Sequence, residues 1–67
     1  MQIDKLVRMA NEIATYFEAY PQERGQQAVL EHIRAFWEPR MRMALAEHAR
    51  EDGGGLRPLA RWAADRL

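Results

Sequence analysis

Apolar residues in this chain recur at steps of three and four positions, and prolines and a glycine run divide them into four segments. Such spacing places apolar side chains along one side of an α-helix. The breaks fall at Pro21, at Pro39 and at Gly53-Gly54-Gly55, since proline ends a helix and consecutive glycines mark a loop. No segment alternates with the two-residue period of a strand. The sequence therefore predicts an all-α fold, a small bundle of three to four short helices in one domain, residues 1–67.

The predicted helices cover residues of about 4–20, 22–37, 39–51 and 58–66. Asp4 is expected to cap the first helix and to pair with Arg8. Gly25 weakens the first turn of the second helix by about 1 kcal/mol relative to alanine, so that helix could begin nearer Gln26. The residues expected to face the core are Ile3, Leu6, Val7, Ala10, Ile13, Ala14 and Phe17, then Val29, Ile33, Phe36 and Trp37 with Leu30 at the edge, then Met41, Ala44, Leu45 and His48, and finally Leu56, Leu59, Ala60, Ala63 and Leu67.

The chain is 67 residues long and contains no cysteine. A core of this size rarely supplies more than ~3–5 kcal/mol, and disulfides or thiolate metal sites are excluded as support. A partner protein or a second copy of the chain is the remaining support. These features agree with a cytoplasmic protein. The chain has no cysteine and no long apolar span, and the mixed charges at its N-terminus do not form a secretory signal.

Ten basic residues balance ten acidic ones, so the net charge is zero. Nucleic-acid-binding domains are usually basic, and this balance argues against a helical nucleic-acid-binding module. Nine of the ten basic residues are arginine. Arginine suits packed protein interfaces better than lysine, although a high-GC genome would produce the same bias.

Large apolar side chains occur outside the expected core-facing positions. Met9, Tyr16 and Tyr20 widen the apolar side of the first helix along one flank, either to cover a small core or to form a docking face. Met43 and Trp62 point away from the apolar sides of their helices. Together these five residues are candidates for binding a partner protein, because single exposed apolar residues are ordinary but several in so short a chain are not.

The segment around Pro39 combines aromatic and basic residues. Arg34, Trp37, Arg40 and Arg42 are further candidates for partner binding, since a helix start with arginines attracts carboxylates, phosphates or an acidic protein surface. A simpler interpretation is also open. In that interpretation Phe36 and Trp37 fill the core, Glu38 pairs with Arg42, and Arg40 is solvated.

Catalytic and metal-binding patterns are not evident in the sequence. The two histidines, His32 and His48, lie on different predicted helices without a ligand at helical spacing. There is no serine or cysteine, Thr15 is expected on a polar face, and no two carboxylates form an acid–base pair. The glycine run lacks the spacing and the lysine of a phosphate-binding loop and is interpreted as a flexible link. We therefore expect no catalytic, cofactor-binding or metal-binding residue and no enzyme activity of the chain on its own.

Three segments carry a resemblance to a known family. They are Lys5 to Ala14 (KLVRMANEIA) followed by Tyr16-Phe17, His32 to Arg42 (HIRAFWEPRMR), and Leu56 to Leu59 (LRPL) after a glycine-rich break. The central segment is similar to the pattern HIxxFWxPRMR. In order and spacing the chain resembles, over nearly its whole length, the delta subunits of soluble, NAD-dependent, molybdenum- or tungsten-type formate dehydrogenases.

The resemblance implies a non-catalytic accessory subunit of a cytoplasmic complex that oxidises formate to carbon dioxide and reduces NAD. In that family the alpha subunit carries a molybdenum or tungsten bis-pterin and iron–sulfur clusters. The beta and gamma subunits carry FMN and further clusters and handle NAD, and delta carries no cofactor. The implied partner is the alpha subunit, with beta and gamma in the complex, and the implied role is to support stability or assembly. A transient maturation chaperone for pterin-cofactor insertion is the alternative, and the isolated chain could self-associate.

Overall fold

The computed structural model describes residues 2–67, and in that range the chain forms four α-helices and no strand. The helices are α1 (Ile3–Phe17), α2 (Gln22–Phe36), α3 (Pro39–Glu51) and α4 (Pro58–Ala64). The prediction of an all-α fold is confirmed. The predicted domain begins at Met1, which lies outside the described residues.

The first two helices differ from their predicted limits. α1 ends at Phe17, three residues before the predicted Tyr20, because the chain tightens into a turn in which the Tyr20 amide donates to the Phe17 carbonyl at 3.1 Å. α2 begins at the predicted Gln22 and not nearer Gln26, and it ends at Phe36, one residue before its predicted limit. Gly25 lies within the first turn of α2, and its amide donates to the Pro21 carbonyl at 2.9 Å.

Proline sets the start of the last two helices. Pro39 and Pro58 occupy first-turn positions of α3 and α4, where a missing amide hydrogen costs no helical bond. α4 ends at Ala64, two residues before the predicted limit of 66.

Asp4 does not cap α1: the capping position is Gln2. The expected ion pair of Asp4 with Arg8 does not form, since neither of the two ion pairs between described residues includes it.

Close contacts at both ends of α2 fix the direction of α4. At the N-terminal end of α2, a Cβ atom built on Gly25 would lie 2.8 Å from the Phe17 carbonyl oxygen and 3.6 Å from the side chain of Leu59. At the C-terminal end, Arg34 donates to the Arg66 carbonyl oxygen at 3.2 Å. The helix α4 therefore runs parallel to α2, since Leu59 lies near the start of α2 and Arg66 lies near its end. None of the helices in residues 2–67 has the length and apolar content that crossing a membrane requires.

The core lies between the four helices and is built mostly from small and aliphatic side chains. Its buried members are Leu6, Ala10, Ala14, Val29, Leu30, Ile33, Trp37, Leu45, Ala49, Ala60, Ala63 and Ala64. Alanine is frequent because closely packed short helices leave little space between their axes. The large side chains that fill what space remains are few, so each contributes a large share of the buried apolar area.

The prediction that Phe36 belongs to this core is wrong, since its side chain is 74% exposed. Leu30, expected at the edge, is only 5% exposed. These two residues lie three positions before and three positions after the buried Ile33, about 60° to either side of it around the helix. α2 is rotated so that the Leu30 side faces the core, and the Phe36 side therefore faces outward. Trp37, in extended conformation after the helix, is 6% exposed and fills the core instead.

The segment from Asp52 to Leu56, which the sequence predicts to be a flexible link, makes hydrogen bonds to side chains of α1 and α3. Gly53 and Gly55 have φ angles of 65° and 83°, which side-chain-bearing residues rarely adopt. The Gly54 amide donates to the Asp52 carboxylate, and the Gly54 carbonyl oxygen accepts a hydrogen bond from His48 Nε2, both at 2.8 Å. His48 therefore lies at the rim of the core, where its ring holds the loop.

Candidate protein interaction site

A continuous aromatic surface crosses α1 and α2, and we call it the aromatic face. Its members are Tyr16, Phe17, Tyr20, His32 and Phe36. The Phe17 ring centroid lies 4.9 Å from that of Tyr16, 5.4 Å from that of Tyr20 and 6.5 Å from that of His32. The His32 ring lies 4.8 Å from that of Phe36, one turn further along α2. Five rings thus form one connected set with Phe17 at its centre.

The outer rings of the aromatic face are exposed to solvent. Tyr16 is 69% exposed, Phe36 is 74% exposed and Tyr20 is 45% exposed. Phe17 is half-buried and packs against the core, so it anchors the exposed rings to the folded body. A shallow depression between Tyr16 and His32 is lined also by Glu12 and Ile13. Aromatic rings held in place by a core are typical anchors of protein interfaces.

The other predicted partner-binding residues lie in different environments. Met9 packs against the core from the flank of α1, whereas Met43 on α3 is 69% exposed. The expectation that Trp62 points away from its helix's apolar side is wrong, because Trp62 also packs against the core. Its outer face is covered by the guanidinium of Arg66, whose Cζ lies 3.8 Å from the ring centroid.

Two of the three predicted partner-binding arginines hold helix ends together. Arg42 Nη1 donates to the carbonyl oxygens of Arg34 and Trp37, each at 3.0 Å, and so satisfies acceptors left free at the end of α2. Arg34 in turn donates to the Arg66 carbonyl oxygen after α4. The predicted pair of Glu38 with Arg42 is absent from the ion pairs of the described residues, which is a correction. The Arg42 guanidinium gains more from the carbonyl oxygens at the end of α2 than it would from an exposed carboxylate.

Arg40 and Trp37, the remaining partner-binding candidates near Pro39, differ in how far their side chains are exposed to solvent. Arg40 is exposed and takes part in no side-chain hydrogen bond between described residues. Trp37 is buried, so it supports the surface from within and offers little area of its own. The structure therefore does not bring Arg34, Arg40 and Arg42 together as three free cations.

A groove of about 450 Å³ lies between the end of α1, the start of α2 and α4. Its lining residues are Phe17, Glu18, Tyr20, Gln22, Gln26, Pro58, Leu59 and Trp62. The groove shares Phe17 and Tyr20 with the aromatic face. The two surfaces are therefore neighbours along α1.

One ion pair closes the rim of this groove. Arg57 Nε and Nη2 donate to the two carboxylate oxygens of Glu18 at 2.8 and 2.9 Å. The hydrogen bonds from Arg57 lower the pKa of Glu18 below its ordinary value, and the same contact raises the pKa of Arg57. Both side chains are well exposed, so this paired, two-point contact is screened by solvent and orients the rim more than it stabilises the fold.

The side chains that could serve as metal ligands are dispersed over the described part of the chain. Within residues 2–67 no group of three histidine, aspartate or glutamate side chains is placed to hold a metal ion. His32 and His48 lie apart, one in the aromatic face and one at the glycine loop. The sequence has no cysteine to supply the thiolates that an iron–sulfur cluster needs.

Sequence reasoning identified Tyr16 and Tyr20 but did not identify Phe36 and His32 as parts of the same surface. The sequence signal for Phe36 was that Leu30 lies on the opposite flank of Ile33. In a small bundle α2 cannot bury the side chains on both flanks, so one of the two must be exposed. The signal for His32 was its position four residues before Phe36, which places the two rings on one side of α2.

No curated protein and no solved structure gives a significant match to the chain. The family model for the NADH-dependent formate dehydrogenase delta subunit FdsD matches residues 5–64. The match covers α2, α3, α4, the glycine-rich segment before α4 and all but the first two residues of α1. The chain therefore belongs to the FdsD family, the delta subunits of NADH-dependent formate dehydrogenases.

Proposed function

We propose that this chain is a non-catalytic subunit that binds the large molybdopterin-containing alpha subunit of a cytoplasmic formate dehydrogenase and stabilises it in the complex. The aromatic face is the docking surface. The observation that carries the proposal is the exposure of Phe36 and Tyr16 on rings that Phe17 and His32 hold in one connected set.

The energetics support a permanent partner. Exposed aromatic rings cost free energy in water, and they contribute most to binding when a partner removes them from it. Among residues 2–67, the large side chains that are fully buried are those of Leu6, Val29, Ile33 and Leu45. A partner that covers the aromatic face adds buried apolar area to a small bundle, so complex formation and folding stability are linked.

The family supports the identity of the partner. A delta subunit assembles with other subunits of its enzyme, and alpha is the subunit that carries the pterin and iron–sulfur centres in the family that the sequence resembles. The chain itself offers no thiolate and no metal-ligand group among its described residues. The resemblance to the family assigns molybdenum or tungsten, iron–sulfur clusters, FMN and NAD to the alpha, beta and gamma subunits.

The proposal is tested by co-purification. Tagged delta is co-expressed with alpha, beta and gamma as wild type, as Tyr16→Glu and as Phe36→Glu, and the alpha retained by each is quantified. Gln27→Glu is the matched control, since Gln27 is exposed on α2 and belongs to neither the aromatic face nor the groove. We expect each aromatic-face variant to weaken alpha binding about 30-fold, as for an interface hot spot, and the control to bind normally. Normal retention of alpha by both aromatic-face variants would refute the docking surface.

The same eluate separates a structural role from a transient one. Active, molybdenum- or tungsten-loaded alpha in the wild-type eluate supports a permanent structural subunit. Inactive, metal-poor alpha supports a chaperone that leaves before turnover, which is the alternative for this family.

A further inference from the structure

We propose that the depression between Tyr16 and His32 receives an arginine side chain of the alpha subunit. This inference rests on the proposed function for the identity of the partner, and it deepens that function by naming the chemical group that the aromatic face meets. Docking through Phe36 does not require an arginine in the depression, so the two proposals fail separately.

The walls of this depression consist of three rings, one aliphatic side chain and one carboxylate-bearing side chain. It measures about 390 Å³, and its lining residues are Glu12, Ile13, Tyr16, Phe17 and His32. The rings of Tyr16 and Phe17 are perpendicular, and those of Phe17 and His32 are inclined at 59°. Rings inclined in this way enclose a hollow, whereas parallel rings would form a flat stack.

Rings and a carboxylate on one surface are complementary to a cation. The face of an aromatic ring attracts a cation within about 6 Å of the ring centroid, and hollows lined by several rings recognise organic cations for this reason. The negative charge of Glu12 adds to the attraction. The depression therefore selects a positively charged group over a carboxylate or a phosphate.

The described part of the chain does not supply this cation itself. Arg8 lies one turn before Glu12 on the same side of α1, but neither residue takes part in an ion pair between described residues. Outside the depression the chain does cover a ring with its own guanidinium, since Arg66 lies 3.8 Å from the ring centroid of Trp62. The rings and the carboxylate of the depression have no equivalent partner among residues 2–67.

An apolar side chain of the partner would be a poorer occupant. It would take water from the Glu12 carboxylate without replacing the lost hydrogen bonds, which is strongly unfavourable for a charged group. An arginine packs its methylene stem against apolar surface, stacks its planar guanidinium on a ring and donates two hydrogen bonds to a carboxylate. Lysine has a compact, strongly hydrated ammonium that makes no planar two-point contact, so the lining favours arginine.

The first test measures binding of alpha in the complex. Tagged delta is co-expressed with alpha, beta and gamma as wild type, Glu12→Gln and Glu31→Gln, and the alpha retained by each is quantified at rising salt concentration. Glu31→Gln is the matched control, because Glu31 is exposed on α2 and does not line the depression. We expect Glu12→Gln to weaken alpha binding about tenfold and to reduce its salt dependence, and the control to bind as wild type does.

The second test uses delta alone and identifies the cation. Ethylguanidinium, ethylammonium and the neutral ethylurea are each titrated into wild-type delta and Glu12→Gln, and NMR follows the ring signals of Tyr16 and Phe17. We expect ethylguanidinium to produce the largest shifts in wild type, ethylurea to produce none, and Glu12→Gln to lose most of the response. Circular dichroism verifies that Glu12→Gln is folded.

The inference is overturned if Glu12→Gln retains alpha as well as Glu31→Gln does, or if ethylurea or ethylammonium shifts the ring signals as much as ethylguanidinium. A delta dimer that Glu12→Gln dissociates in sedimentation would assign the arginine to a second copy and would also overturn it. In each of these cases, loss of alpha from Phe36→Glu still upholds the proposed function, because Phe36 does not line the depression.

Discussion

The side chain of Asn11 on α1 and the backbone of Arg57, at the entrance to α4, are joined across 46 positions of sequence. The Arg57 amide donates to Asn11 Oδ1 at 2.9 Å, and Asn11 Nδ2 donates to the Gly55 carbonyl oxygen at the same distance. One carboxamide thus satisfies a donor and an acceptor of the segment that brings α4 back to α1. It also fixes where Arg57 reaches Glu18 at the rim of the groove.

Replacing Asn11 by alanine should destabilise the fold by about 1–3 kcal/mol, because two hydrogen bonds to backbone groups are lost. Urea unfolding followed by circular dichroism gives the free energy of unfolding. Thr15→Ala is the control, since the Thr15 hydroxyl bonds only to the Asn11 carbonyl one turn back on the same exposed surface. Equal stability of Asn11→Ala and Thr15→Ala would show that the loop is held by other contacts.

Replacing Gly25 by alanine should destabilise the protein, although alanine favours an isolated helix by about 1 kcal/mol. The added Cβ would lie 2.8 Å from the Phe17 carbonyl oxygen, a backbone atom that moves only if α1 and α2 separate. We expect a net loss of about 1–3 kcal/mol from this overpacking. Gln27→Ala, exposed on the same helix, should change stability by under about 0.5 kcal/mol. A more stable Gly25→Ala variant would contradict the close packing of the two helices.

Two adjacent aromatic residues should respond in opposite ways to truncation. Trp37→Ala removes a core side chain and should cost about 3–5 kcal/mol, enough to unfold a chain with so small a core. Phe36→Ala removes a 74% exposed ring and should change stability by under about 0.5 kcal/mol. Thermal unfolding of the isolated chain measures both. A large loss from Phe36→Ala would mean that its ring is buried in solution, and would remove it from the aromatic face.

Arg42 and Arg40, both in the first turns of α3, should differ in their contribution to folding stability. Arg42→Ala removes two hydrogen bonds to terminal carbonyls and should lower the free energy of unfolding by about 1–2 kcal/mol. Arg40→Ala should leave the free energy of unfolding unchanged. The same variant tests whether Arg40 contacts an anionic group, and the measurement is the pterin-cofactor content of alpha that is co-expressed with it. Normal cofactor content in Arg40→Ala would exclude a phosphate contact at this position.

The ion pair of Glu18 with Arg57 predicts a small dependence of stability on pH. Since the folded-state pKa of Glu18 is lowered, its contribution is fully present above the ordinary value of 4.5 and is lost as pH falls through the lower folded-state value. Arg57 stays protonated throughout this range because its pKa is raised.

Glu18→Gln should therefore be slightly less stable than wild type at neutral pH, and the difference should disappear in acid and shrink in high salt. Unfolding midpoints measured across pH for wild type, Glu18→Gln and the exposed control Glu47→Gln check this. A difference between Glu18→Gln and wild type that persists at acid pH would assign the effect to packing instead of charge.

The sequence by itself determined where helices form and which family the chain joins. Pro21, Pro39 and the glycine run set the breaks through local backbone chemistry, so the all-α fold and the limits of α3 follow from neighbouring residues alone. The tertiary structure decided how each helix is rotated about its axis. Periodicity places Leu30 and Phe36 symmetrically about Ile33, and only packing against the other helices chose Leu30 for the core and left Phe36 for the aromatic face. The joining of Asn11 to Arg57, the contact of Gly25 with Phe17 and the capping role of Arg42 depend likewise on distant parts of the chain meeting in space, which local patterns do not encode.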